Sequence, residues 1–417
     1  MIVRGFDLRP GRRLAGALPP GPQRAMVLSS FANRIGNGLF NTAAALYFTR
    51  VAHLPATQVG LGLSVAGLVG MLAGVPAGYL ADRRGPRTVM LVTLAVQTAT
   101  MLGFLAVRSW WAFTVVAALD TLALCANNAA RGAVIARVGE DRPAAFRARL
   151  RAVANLGVVL GALGAAVAVQ WDTPAAYTAL ILSNAASYLV CGLLLLRVPD
   201  YQPVPRPVRE RRRLLVLRDR PFLCFAAVSG LMGLQYPLVS LVLPIWIASH
   251  TQAPRWTVAA VAVVNSGVCV LLQARIGGRI ETPAHGGAAL RKAGLLFLLS
   301  CPLLALTARA QAWPAAVLLA VAITLHSLGE IYESSGGFAL GFGLAPDRAQ
   351  GEYQGLLGLG FDLGQALGPA LLTTLCLGWG ERGWLALGLG FAVLGATGPR
   401  VAEWGRRTRG AALGQAA

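Results

Sequence analysis

The sequence predicts an all-α integral membrane protein with twelve transmembrane helices in two pseudo-symmetric six-helix bundles. Three observations carry that reading: an apolar composition, a dozen apolar runs of spanning length, and a lopsided distribution of arginine between them. Of 417 residues, 56% are hydrophobic and only 13% charged, with a mean hydropathy of +0.60. So little polar surface cannot cover a water-soluble globule of this size.

A helix needs about 20 mostly apolar residues to cross roughly 30 Å of hydrocarbon. Arg, Pro and Gly punctuate the chain so that the spans fall at Met26 to Phe48, Gln58 to Ala81, Thr88 to Val107, Trp110 to Ala130, Ala152 to Val169 and Ala175 to Leu196. The second set falls at Phe222 to Ala248, Thr257 to Ile280, Ala289 to Ala308, Ala315 to Leu340, Tyr353 to Leu377 and Gly383 to Ala402.

The net charge of +20 would point to nucleic acid in a soluble protein. Here the basic residues lie between the spans, and 31 of the 37 fall on one alternating set of loops against five on the other. Cytoplasmic loops hold the excess of Lys and Arg, so both termini are expected in the cytoplasm and the chain in the cytoplasmic (inner) membrane. Nucleic acid is not an expected partner; membrane lipid and a small-molecule substrate are, with no obligate protein partner.

The longest polar interruption runs from Pro199 to Pro221 and carries Arg211, Arg212 and Arg213. It divides the chain into a cytoplasmic N-terminal segment (1–25), a six-helix bundle (26–198), a cytoplasmic linker (199–221), a second bundle (222–404) and a cytoplasmic tail (405–417). The halves resemble each other: Asn155-Leu156-Gly157 with Leu160-Gly161 in span five matches Asp362-Leu363-Gly364 with Leu367-Gly368 in span eleven, and Ala77-Gly78 matches Gly277-Gly278. The six cysteines lie singly in apolar stretches, without the spacing of a metal or redox site. Prolines at 10, 19, 20 and 22 interrupt any cleavable signal peptide, leaving the first span as the insertion signal.

The most specific motif is Gly78-Tyr79-Leu80-Ala81-Asp82-Arg83-Arg84-Gly85-Pro86-Arg87, between spans two and three. Gly78 lets helices approach closely, Gly85 permits a tight turn, and Asp82 places a carboxylate at a helix end, where it can neutralise a neighbouring helix N-terminus and pair with Arg. The stretch resembles the G-x-L-a-D-R-x-G-R loop of the major facilitator superfamily. That resemblance implies a latch holding the cytoplasmic side shut, with Gly78, Asp82, Arg83, Gly85 and Arg87 on one side and the start of span eleven near Tyr353 on the other, with Arg131 as a further partner.

The resemblance extends along nearly the whole chain. Gly329-Glu330, Ala345-Pro346-Asp347-Arg348, Gly351-Glu352-Tyr353-Gln354-Gly355 and Gly368-Pro369 are similar to the twelve-span proton-coupled multidrug and antibiotic exporters of that superfamily. Two positions depart from the pattern: Gly161-Ala162 stands where antiporters often carry Gly-Pro, and Asp120 where many carry an Arg.

Ionisable residues inside spans are costly and mark functional sites. Arg34 lies roughly 12 Å into span one and Asp120 roughly 15 Å into span four at 1.5 Å per residue. The depths match, and the resemblance implies that spans one, four, seven and ten line a central cavity, so an Arg34–Asp120 ion pair facing that cavity is expected. Asn37 extends the polar face of span one, and Asn127 and Arg131 that of span four. In span ten His326, Glu330 and Glu333 share a face, Glu330 being the preferred proton-coupling residue and Glu333 its neighbour. Tyr236 sits beside Pro237 in span seven, where Pro237 and Pro244 free backbone carbonyls and make a flexible outer gate.

No phosphate-binding loop, zinc-protease or serine-hydrolase motif occurs, so no enzyme is expected. The expected activity is secondary transport by alternating access: proton-coupled efflux of a small amphipathic or drug-like compound, with no cofactor beyond the proton as coupling ion. An importer or facilitator of a small nutrient, or a non-transporting membrane sensor or scaffold, are the alternatives.

Overall fold

The structure is a computed structural model that describes residues 21–202, 214–254 and 256–414. Most of the expected N-terminal segment, the arginine run of the linker (203–213) and the last three residues lie outside the described residues.

Twelve helical segments follow one another among the described residues. The first half holds α1 (Pro22–Leu46), α2 (Ala56–Met71 and Gly74–Arg84), α3 (Pro86–Ala106), α4 (Trp110–Val138), α5 (Pro143–Trp171) and α6 (Pro174–Leu195). The second holds α7 (Arg220–His250, broken internally), α8 (Thr257–Gly277), α9 (Pro283–Leu306), α10 (Ala312–Gly343), α11 (Gln350–Leu372) and α12 (Glu381–Gly414). By length and composition ten of these can cross a bilayer, and α2, bent by 45° at residues 72–73, makes an eleventh. The polar exception is α1, where Arg24, Asn33, Arg34, Asn37 and Asn41 interrupt the apolar face.

The helix starts are written locally. Thr173 and Thr282 cap α6 and α9 by accepting the amides of Ala176 and His285, each followed by a proline in the first turn. Ser109 and Asp219 do the same for α4 and α7 through Ala112 and Phe222. Each such cap is worth about 1 kcal/mol, and proline there forfeits only an amide that had no helical partner.

Large apolar side chains cover the outside of the bundle: Leu271, Leu72 and Val263 are 76%, 73% and 71% exposed. Such a surface belongs in hydrocarbon. Exposed tryptophans at 111, 171, 256, 313 and 379 cluster at the loops joining α3–α4, α5–α6, α7–α8, α9–α10 and α11–α12. They form an aromatic belt at one membrane interface. The opposite end carries the arginine-rich connections.

Two features reset the expected boundaries. α4 runs on to Val138 and α5 starts at Pro143, so Arg131, Arg147 and Arg151 are helical residues rather than loop residues. Apolar run length misses these turns because their arginines find polar partners inside the protein. In α7 the chain makes a five-residue π-helical turn, Leu238–Val242, directly after Pro237, and α1 and α11 end in π turns at Tyr47–Val51 and Thr373–Gly378. Such turns let a helix absorb a missing amide donor without ending.

Within the halves, the repeated glycines perform matched packing. Gly157 and Gly161 of α5 lie on the backbone of α1 at Phe31 and Ile35, while Gly364 of α11 lies on Gly230 of α7 and Gly368 lies against Pro237. Across the halves, Gly78 of α2 abuts the backbone of Gly351, and Gly277 of α8 abuts Ala148 of α5. The sequence repeat thus describes a structural two-fold: α5 on α1 mirrors α11 on α7, and α2 on α11 mirrors α8 on α5.

Candidate functional site

Glu330 and Glu333 lie on one face of α10, 6% and 5% exposed. Facing them is Arg151 of α5, from the other half. Its guanidinium donates to Glu330 Oε1 at 3.1 Å and to the Tyr236 hydroxyl of α7 at 2.6 Å, with its carbon 5.0 Å from the tyrosine ring centroid. Tyr236 in turn donates to Glu333 Oε2 at 3.1 Å, and Asn265 of α8 donates to Glu330 Oε2 at 3.1 Å. Four helices from both halves converge on this cluster. With both carboxylates ionised its formal charge is −1, and one proton brings it to zero.

Arg147 sits one helical turn before Arg151. It donates to Gln354 Oε1 of α11 at 2.5 Å and lies over the rings of Phe338 and Phe342 of α10, 5.0 and 5.5 Å from their centroids. Nearer the arginine-rich end, Arg142 donates to the Gly278 carbonyl at 2.7 Å and pairs with Glu281.

The loop between α2 and α3 makes the second cross-half contact. Asp82 Oδ1 accepts the Gly351 amide at 2.9 Å and Oδ2 the Glu352 amide at 3.0 Å, in the first turn of α11. Those amides have no helical acceptor, and the positive end of the helix favours a carboxylate there. A Cβ at Gly78 would collide with the Gly351 carbonyl, so glycine is what lets the two backbones meet. Gly85 has φ +93°, a conformation that glycine alone adopts without strain. Arg83 and Arg87 stay within the first half: Arg83 donates to the Tyr79 hydroxyl at 3.1 Å and Arg87 to the Leu196 carbonyl at 3.1 Å. Arg131 donates to Ser30 of α1 at 2.5 Å.

The expected Arg34–Asp120 pair does not form. Asp120 turns towards α3, where its Oδ1 accepts from Thr100 at 2.7 Å. Asn127, two turns along the same face of α4, donates to Thr93 at 2.8 Å and to the Met90 carbonyl at 3.3 Å, both of α3. Asp120 and Asn127 therefore belong to the interior of the first half, away from the polar cluster on α10. Similar depth in the membrane did not bring Arg34 and Asp120 together, because each residue along a helix turns the side chain by about 100°. Asn37 remains on the polar face of α1, accepting from the Tyr188 hydroxyl at 3.0 Å and donating to Asn33 at 3.3 Å. Buried His326 meets Gln235 at 3.1 Å through Nε2, one turn before Glu330 and two before Glu333.

All of these cross-half polar contacts, with the Cys125 to Asp362 hydrogen bond of 3.5 Å between α4 and α11, lie from midspan to the arginine-rich end. Residues 26–369 match the Major Facilitator Superfamily. The chain belongs to that family. This superfamily member is a multi-pass membrane transporter, and not an enzyme. It is 26% identical over 346 residues to multidrug resistance protein MdtH of Klebsiella pneumoniae, covering 80% of this chain and 82% of that protein. It is 29% identical over 137 residues to an uncharacterized MFS-type transporter, YqjV of Bacillus subtilis; that match spans 33% of each chain. Among solved structures, a bacterial homologue of the iron transporter ferroportin in an outward-facing state superposes with a TM-score of 0.74 at 15% identity, over 90% of this chain and 98% of that one. The human organic anion transporter MFSD10 superposes with a TM-score of 0.66 at 17% identity, over 92% and 100%. At such identities the likeness shows the fold.

Sequence reasoning missed Arg151, Arg147 and Asn265. The first two, with Asn155, recur at i, i+4 and i+8, a polar helical stripe that the sequence does display. Nothing in the sequence marks Asn265 as a partner of Glu330.

Proposed function

We propose that this transporter is a proton-coupled exporter of small amphipathic, drug-like compounds, working by alternating access across the cytoplasmic membrane. Its arginine-rich end faces the cytoplasm, in keeping with the placement of Lys and Arg in cytoplasmic loops. The carrying observation is that Arg151 of one half is held by Glu330 and Tyr236 of the other, with Glu333 on the same tyrosine. In this state the cytoplasmic side is shut by Asp82 on α11 and by Arg151 on α10. A proton on Glu330 removes the charge paired directly with Arg151, which weakens the bridge between the halves and lets the cytoplasmic side part. Compound then enters from the cytoplasm, and release of the proton inwards restores the bridge. Glu330 is the coupling group, and Tyr236 links its state to that of Glu333.

The test is transport of a compound panel in proteoliposomes carrying a pH gradient, with and without a protonophore. Uphill movement should collapse with the protonophore, and Glu330→Gln should keep downhill exchange while losing uphill accumulation. Accumulation in Glu330→Gln equal to the parent, or movement indifferent to the gradient, would overturn proton coupling.

A further inference from the structure

One guanidinium in the bundle interior has no anionic partner among the described residues. Among the described residues Arg34 makes no hydrogen bond or ion pair, and its Nε is buried without a partner. The carboxylates that could serve it are engaged elsewhere: Asp120 by Thr100, and Glu330 by Arg151 and Asn265. Its charged neighbours are of like sign, Arg131 of α4 and Arg151 of α5, and Arg131 is itself spent on the neutral hydroxyl of Ser30. Three guanidinium groups therefore share the core of the bundle, and one of them is only half-buried with its hydrogen-bonding fork unfilled. Beside it Asn37 and Tyr188, already bonded to each other, supply polar groups for a second part of a ligand.

An unpaired cation in a membrane interior is expensive to keep unless something pairs with it in the working cycle. A guanidinium offers parallel N–H donors that match the oxygens of a carboxylate, sulfonate or phosphate. We infer that Arg34 is the docking residue for an anionic group on the transported compound, so that the substrate class is organic anions, apolar in body and carrying one acidic group. The inference rests on the transport reading for its setting, since the compound reaches Arg34 through the space between the halves. It assigns Arg34 to binding and leaves proton coupling to Glu330.

The experiment is direct binding to the purified full-length protein in detergent, followed by calorimetry, using benzoate, naphthalene-1-sulfonate and phenyl phosphate, with inorganic phosphate and chloride as the inorganic arm and tetraphenylphosphonium as a cation of comparable bulk. At least one organic anion should bind the parent protein, at least tenfold more weakly to Arg34→Gln, and with an intermediate loss to Arg34→Lys. Monodisperse elution and an unchanged melting temperature show that Arg34→Gln is folded. No organic anion binding to the parent, equal binding to Arg34→Gln, or binding confined to the inorganic ions each overturns the inference. Arg34-dependent binding without movement in proteoliposomes would instead sink the transport reading; proton-driven movement of tetraphenylphosphonium without anion binding would spare that reading and sink this one.

Discussion

Two seams join the halves at the arginine-rich end, and the pseudo-two-fold relates them: α2 against α11, and α8 with α10 against α5. The first is closed by backbone. Gly78 and Gly74 lie on the carbonyls of Gly351 and Gly355, and Asp82 takes two amides of the α11 first turn. The second is closed by side chains, Arg142 on Glu281 and Arg151 on Glu330, while Arg147 between the two seams reaches Gln354 of α11. One duplicated scaffold thus carries a shape-determined latch on one side and a charge-determined latch on the other. The amide donors of the α2–α11 seam cannot titrate, though the Asp82 carboxylate that accepts them can, and its two acceptor oxygens face neutral N–H groups there. In the side-chain seam a proton on Glu330 removes the charge paired directly with Arg151, so this is the seam where the proposed coupling would act.

The largest effect should come from unbalancing that seam. Arg151→Ala leaves Glu330 and Glu333 buried without their cation, a loss of about 3–5 kcal/mol for breaking one side of a buried pair. Thermal unfolding should drop markedly and uphill transport should vanish, while Arg151→Ala with Glu330→Gln should recover stability without recovering coupling. Recovery of neither would mean that Arg151 serves the fold through Tyr236 rather than through the glutamate.

Gly78→Val attacks the backbone seam. The added atoms meet the Gly351 carbonyl, at an overpacking cost of about 1–3 kcal/mol. Spin labels at exposed positions Arg149 and Arg275 should report longer distances across α5 and α8 if the halves rock as rigid bodies. An unchanged distance would mean that the two seams open independently.

Asp82→Asn should be milder, because the amide oxygen still accepts one N–H while the attraction of a charge to the helix end, about 0.3–1 kcal/mol, is lost. Transport should fall a few-fold, with coupling to the gradient intact. Loss of coupling in this variant would place proton sensing at the backbone seam after all.

The smallest effect belongs to Asp172, in the α5–α6 loop. Hydrogen bonds from Tyr177 and from Arg50 hold its exposed carboxylate below the usual range. A lowered folded-state value means a contribution present above the ordinary carboxylate pKa and lost as pH falls through the folded one. Asp172→Asn should therefore lower the melting temperature slightly at neutral pH and low salt, with parent and variant converging in acid. A gap persisting in acid would trace the effect to packing instead of charge.

Much of this was legible in the chain. Helix number followed from apolar runs, and the internal repeat located glycines that pack equivalently in the two halves. Asp82 and Gly78 are readable because the motif is local, a helix end and a turn within ten residues; the start of α11 as their partner followed only from the family resemblance. Glu330, Glu333 and Tyr236 could be named as polar residues in spans. Their partner Arg151 was harder, because three nearby arginines make the start of α5 look like loop.

By itself the sequence determined what depends on one helix at a time: which segments prefer hydrocarbon, where each begins through Thr-Pro and Ser caps, and which depth each charge occupies. The tertiary structure alone decided which way those charges point. Depth comes from counting residues, but direction comes from the rotation of each helix against its neighbours. That rotation turned Asp120 to Thr100 on α3, carried Arg151 across to Glu330, and left Arg34 facing no anion among the described residues.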